Sequence, residues 1–181
     1  MVIRFETFLD FMMATGTNKV DIARAAANPK RAGFDFYHDL RAAIRDDGGL
    51  EWKESEAHGD ARKVKLYPKL IDGYRKFVDR DGLRPSTLAP TRLLRIGDIE
   101  VDASFDVAFG AIDYRLYFNG EHMSRTRNTL AIALLSMAAP GRMVGIIDVK
   151  RSRATSSSFI EPDARTVIHA EAAAFAIMVR G

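Results

Sequence analysis

The sequence predicts an α+β fold, with a helical N-terminal half packed on a mixed sheet and a C-terminal half running β-β-β-α-β-α. Three observations carry this expectation. Apolar residues recur at helical spacing as far as Val78, just before Gly82. The period changes to two after Pro90, most clearly from Ile99 to Phe109. Within that alternating stretch Gly97-Asp98, Gly110-Ala111 and Asn119-Gly120 stand where strand-joining turns belong. A chain of 181 residues with 47% apolar content is expected to form a single domain, 1–181, mainly helical over 1–84 and sheet-containing over 85–181.

Phe5, Phe8, Leu9 and Met12 stand at i, i+3, i+4 and i+7 and predict an amphipathic first helix ended by Gly16. This face is expected to pack in the core or against a second copy of the chain. Thr17 or Asn18 can cap a second helix, which Asn28-Pro29 closes near Ala27. In a third, Asp35 is the candidate cap, Phe36, Tyr37, Leu40 and Ile44 form the apolar face, and Gly48-Gly49 is the stop. The polar run from Glu51 to Lys63 is expected to be loop. A fourth helix follows, with Pro68 in its first turn and a stripe of Tyr67, Leu70, Ile71, Tyr74, Phe77 and Val78.

Strands are predicted over Thr91–Ile96, Ile99–Phe109 and Ile112–Phe118. With Gly110-Ala111 as the loop, Phe109 faces Ile112, Val107 faces Tyr114 and Phe105 faces Leu116, so the pairs are apolar throughout. The same register sets Asp106 opposite Arg115, and the first hairpin sets Arg95 opposite Glu100, both pairs of the stabilising sign. Ser124 caps the next helix and Pro140-Gly141 stops it. The unbroken apolar run Val144–Ile147 predicts a strand covered on both faces, with Lys150 and Arg151 at its exit. Ser152 to Ala164 is expected to be mostly loop. A last helix then carries Val167, Ile168, Phe175 and Met178 as its stripe.

Composition removes several classes of function. The chain has no cysteine, which excludes disulfides, thiolate metal sites and cysteine nucleophiles and points to a cytoplasmic setting. His38, His58, His122 and His169 show no ligand spacing. Arg4, Glu6 and Asp10 occupy the first turns, so neither a secretory leader nor a membrane span is expected. No phosphate-binding P-loop, dinucleotide fingerprint or nucleophile elbow occurs. The net charge of +3 permits an anionic partner. Arg62, Lys63, Lys65, Lys69, Arg75 and Lys76, with Arg80, form one basic stretch, and Lys150, Arg151 and Arg153 form a second. Either is a candidate footprint for nucleic acid or an ordinary solvated face.

The order α-β-β-β-α-β resembles the core of the PD-(D/E)XK nuclease superfamily, which carries an Asp on its second strand and Asp/Glu-x-Lys on its third. The resemblance implies carboxylates holding magnesium and a lysine that steadies developing charge. One placement keeps the order of elements, using Asp106 with Asp113 and Arg115, where arginine replaces lysine. The other keeps the motif, using Asp106 and Asp148 as metal ligands with Lys150, although a helix intervenes. Glu171, four residues before Phe175, has the spacing of the Gln-x-x-x-Tyr helix of exonuclease-like branches and lies on the apolar stripe, where a carboxylate needs a partner. Two expectations compete. One is a nuclease-like, catalytically degenerate nucleic-acid-binding domain, with magnesium if active. The other is a non-catalytic interaction or assembly protein that uses the fold as a scaffold, a homo-oligomer included. Unpaired, clustered acids favour the first and paired acids the second.

Overall fold

The computed structural model describes residues 1–28, 36–47, 59–82, 84, 91–119 and 122–180. The α+β class stands, with helices packed on sheets, but the expected single sheet resolves into two. The first is β1 (Val2–Arg4), β3 (Ile99–Asp102) and β2 (Leu93–Ile96), in the order β1-β3-β2. The second runs β4-β5-β6-β7, comprising Val107–Phe109, Ile112–Tyr117, Met143–Asp148 and Arg153–Ser157. Around them pack α1 (Phe5–Met13), α2 (Gly16–Ala27), α3 (His38–Asp47), α4 (Ala61–Asp81), α5 (Arg125–Ala138) and α6 (Pro162–Arg180).

The division into two sheets has a local cause. Asp102 accepts the Ser104 N–H at 3.1 Å and the Ser104 hydroxyl at 2.5 Å, and Ser104 in turn accepts the Arg92 N–H at 3.1 Å. A side chain bonding the backbone two residues on is a turn-forming device. It ends β3 and carries 103–106 across to the second sheet, so the predicted strand Ile99–Phe109 is two strands. Ile99, Val101, Ala103, Phe105, Val107 and Phe109 are nonetheless all buried. The first hairpin register is found, with Arg95 opposite Glu100. The second holds for Phe109 opposite Ile112 and Val107 opposite Tyr114, but the expected Phe105–Leu116 pair is absent, because the strand breaks before Val107 and the two side chains enter different core clusters.

The second sheet is the central layer. On one face Val144, Ile146 and Tyr117 join α1, α5, α6 and the first sheet, where Phe8, Phe11 and Phe175 form a ring cluster. On the other, Ile147, Val149, Tyr114, Leu116 and Phe118 pack against α3 and α4. β6 is therefore covered on both faces, as its apolar run requires. It runs parallel to β5 through the α5 crossover, and α5 begins where Ser124 accepts the Arg127 N–H at 3.2 Å.

Several boundaries differ from expectation. β1 was hidden inside the helical pattern of the N-terminus, and β7 falls in the segment expected to be loop. Gly16 opens α2 and does not close α1. α4 starts at Ala61 because Asp60 accepts the Arg62 N–H at 2.8 Å, so Pro68 lies inside the helix and leaves one helical bond unmade. Val167 is 41% exposed and is not part of the α6 core face. The Asp35 cap, the Gly48-Gly49 stop, Pro29 and most of the polar run after Glu51 lie outside the described residues. Among the described residues no helix is long and apolar enough to cross a membrane.

Candidate nucleic-acid interface

The acids expected to carry chemistry are each held by a cation. Asp106 is buried where the chain leaves the turn at Ser104. Its carboxylate accepts from Arg41 Nη1, from Arg45 Nη2 at 2.9 Å and from the Leu116 N–H at 2.8 Å. It thus fills the place on the β5 edge that a longer β4 would occupy. The expected Asp106–Arg115 pair is not formed. Arg115 turns instead to Glu6 at 3.0 Å and to the Ser104 carbonyl at 2.5 Å. Arg41 spans the two acids, reaching Glu6 at 2.9 Å, so Glu6, Asp106, Arg41, Arg45 and Arg115 form one network joining α1, α3 and β5. Burial pushes the Glu6 carboxyl up, but the Arg115 and Arg41 guanidiniums outweigh it and bring it down to about 2. Asp113, buried in β5, is gripped by Arg142 at 2.5 and 2.8 Å.

Asp148 ends β6 and caps a single 3₁₀ turn, Val149–Arg151. It accepts the Arg151 N–H at 3.2 Å and Arg151 Nη1 at 2.9 Å. Lys150 lies in that turn, so it does not share a strand face with Asp148. Glu171 sits on α6 and pairs with Lys19 of α2 at 2.5 Å, away from the other acids.

This donor set does not fit magnesium. Asp106 bonds to Leu116, whose β6 neighbour is Ile147, while Asp148 lies beside Tyr117, so the strand β5 separates the two carboxylates. Their oxygens are directed at guanidinium groups, and among the described residues no three His, Asp or Glu could hold a metal ion. A hard cation needs several oxygen ligands at one point.

The basic residues, by contrast, converge. Gly73 lies mid-way along α4 against the turn that follows β6. A Cβ at Gly73 would stand 2.1 Å from the Val149 carbonyl oxygen. The Ser152 hydroxyl donates to the Gly73 carbonyl at 2.8 Å, and Arg80 Nη1 donates to the Ser152 carbonyl at 2.9 Å. Ser152 itself adopts φ +52°, a left-handed conformation unusual for a residue with a side chain. Lys69, Lys76 and Arg80 stand four before, three after and seven after Gly73. They therefore flank the contact on the same side of the helix. All three are exposed, as is Lys150 across the contact, whereas Arg153, opposite Asp148 in the β6–β7 ladder, lies on the α5 face of the sheet. The two basic stretches, some seventy residues apart in sequence, are thus neighbours around the end of β6.

Not every predicted basic residue belongs to this surface. Lys63 is buried, its ammonium 2.5 Å from Asp39 of α3, because it occupies the apolar stripe one turn before Tyr67. Arg62 is exposed and bonds Asp60, the cap of α4. Arg75 lies 3.8 Å from Asp72, and Lys65 is exposed one turn before Lys69. The signal that could have joined the two stretches was Gly73 itself, since a glycine inside a long amphipathic helix usually has a packing reason. No protein-family model, curated protein or solved structure matches this chain.

Proposed function

We propose that the chain is a nucleic-acid-binding module that grips the phosphate backbone without metal-dependent cleavage. The observation that supports this reading most is the convergence of Lys69, Lys76 and Arg80 with Lys150 around the Gly73–Val149 contact. Basic side chains spread over two rigidly joined elements suit a charged polymer better than a point ligand, because each can meet a different phosphate. The paired carboxylates bear on cleavage and not on binding. Asp106, Asp113 and Asp148, the acids the nuclease resemblance would use as ligands, are each paired with arginine. Such pairing speaks against metal-dependent hydrolysis.

The test is fluorescence anisotropy with labelled duplex and single-stranded oligonucleotides of unrelated sequence at low salt. Micromolar or tighter binding to all of them, weakened by similar factors in Lys69→Glu/Lys76→Glu, is expected, because phosphate contacts carry no sequence information. Absence of binding at low salt would leave the second reading, an interaction scaffold, which the pairing of the acids also favours.

A further inference from the structure

On the α5 face of the sheet, beside the same turn, a cleft of about 330 Å³ opens between the start of α5 and the β6–β7 edge. It lies at the carboxyl ends of the parallel strands β5 and β6, next to the crossover helix that joins them. Open sheets with such crossovers bind ligands at that end. The volume falls at the lower limit for small-molecule sites, about 300–1,000 Å³.

Its lining is predominantly cationic. Arg125 reaches it from α5, Arg151 from the turn and Arg153 from β7, and Asn128 adds an amide. Asp148 is the sole carboxylate among the described lining residues, and it accepts from Arg151 Nη1 at 2.9 Å, which directs that guanidinium. Neither Arg125 nor Arg153 forms an ion pair within the described residues. Three guanidiniums against one carboxylate leave a formal charge of +2. A phosphate monoester carries about −1.5 to −2 at neutral pH, whereas a backbone diester carries a single negative charge. Guanidinium forks also match the planar pairs of phosphate oxygens. The buried Ile146 side chain supplies an apolar floor on which the rest of the ligand can rest.

We propose that this cleft seats a phosphate monoester borne on a nucleoside, either the phosphorylated end of a strand or a free nucleotide. The strand-end source rests on the nucleic-acid reading above; the free nucleotide requires only the cleft.

The experiment compares oligonucleotides of one sequence with 5′-phosphate, 3′-phosphate or hydroxyl ends by anisotropy, and titrates a nucleoside monophosphate by calorimetry. Both are run on the full chain and on Arg125→Glu/Arg153→Glu. The milder Arg125→Ala/Arg153→Ala serves as second variant, and circular dichroism checks folding. A preference of tenfold or more for one phosphorylated end is expected, erased in both cleft variants and kept as a ratio in Lys69→Glu/Lys76→Glu. Binding of the monophosphate alone, lost in the cleft variants, supports the site with a free nucleotide as ligand while the polymer reading fails. Equal affinity for all ends with no monophosphate binding, or a preference that survives in folded cleft variants, overturns the proposal.

Discussion

Gly73→Ala tests the joint on which the basic surface depends. In an ordinary helix interior this change stabilises by about 1 kcal/mol, because alanine restricts the unfolded chain and favours the helix. At Gly73 the added methyl would lie 2.1 Å from the Val149 carbonyl oxygen and 3.2 Å from its carbon, both backbone atoms of a turn pinned by the Ser152–Gly73 bond. No side-chain rotation can relieve that contact, so α4 or the turn must shift. Overpacking of this kind costs about 1–3 kcal/mol and the Ser152 hydrogen bond about 1 kcal/mol more, which exceeds the propensity gain. The expected net result is destabilisation by about 1–3 kcal/mol. For a chain of this length each kcal/mol lowers Tm by about 2–4 °C. Urea titration followed by circular dichroism reads the change, and Ser152→Ala, which removes the hydrogen bond alone, separates that term. A Gly73→Ala protein more stable than the wild type would refute the close approach of α4 to the turn.

Other perturbations follow from the same structure. Glu6 is held at about 2 against an ordinary 4.5, so its contribution is fully present above about pH 4.5 and is lost as pH falls toward 2. With its side chain 38% exposed, solvent screening reduces that contribution to about 1–2 kcal/mol; acid titration of Glu6→Gln should show a shallower loss than wild type. Asp106→Ala removes the acceptor of the Leu116 N–H, the Arg45 bond and one of the two carboxylates of Arg41, and should destabilise by about 3–5 kcal/mol, whereas Asp106→Asn, which can still accept from Leu116, should cost less in the same denaturation assay. Adding magnesium or manganese should leave Tm unchanged in wild type and in Asp148→Ala alike; a metal-dependent rise abolished by the substitution would restore the nuclease reading, since a ligand bound to the native state must stabilise it. Phe175→Ala, which empties a position packed edge-on to Phe8 and Phe11, should cost about 3–5 kcal/mol by urea titration.

What the sequence disclosed and what it withheld divide along physical lines. Turns with glycine at a fixed place, combined with strict alternation, locate strand partners, and so Arg95–Glu100 and Phe109–Ile112 were legible. Long amphipathic stripes locate helices, and so Leu40, Ile44, Tyr74 and Phe77 were expected in the core where they are found. Alternation could not reveal that Ile99–Phe109 divides between two sheets, because every odd residue is buried whichever sheet receives it. The clue was Asp102 followed by Ser104, a turn device concealed within a strand pattern. β7 is an exposed edge of small polar residues and lacks an apolar face to read. The partners of the acids were least legible. Asp148 pairs three residues away with Arg151, a residue expected at the strand exit, but Asp106 pairs with Arg41 and Glu6 with Arg115, contacts that only the packing of α3 and α1 on the sheet can create. The register put Arg115 beside Asp106, and the chain used a nearer acid because the strand had already broken.

The measurement that bears most directly on the central claim is the salt dependence of oligonucleotide binding in wild type, in Lys69→Glu/Lys76→Glu on α4 and in Lys150→Glu in the turn after β6. If one continuous surface follows the backbone, the logarithm of affinity falls linearly with the logarithm of salt concentration. Each neutralised phosphate contributes a slope of about −0.9 on duplex. Each reversal then lowers the magnitude of the slope by about one per residue, on both elements. A flat salt profile, or a slope altered by one element's reversals and untouched by the other's, would contradict the account.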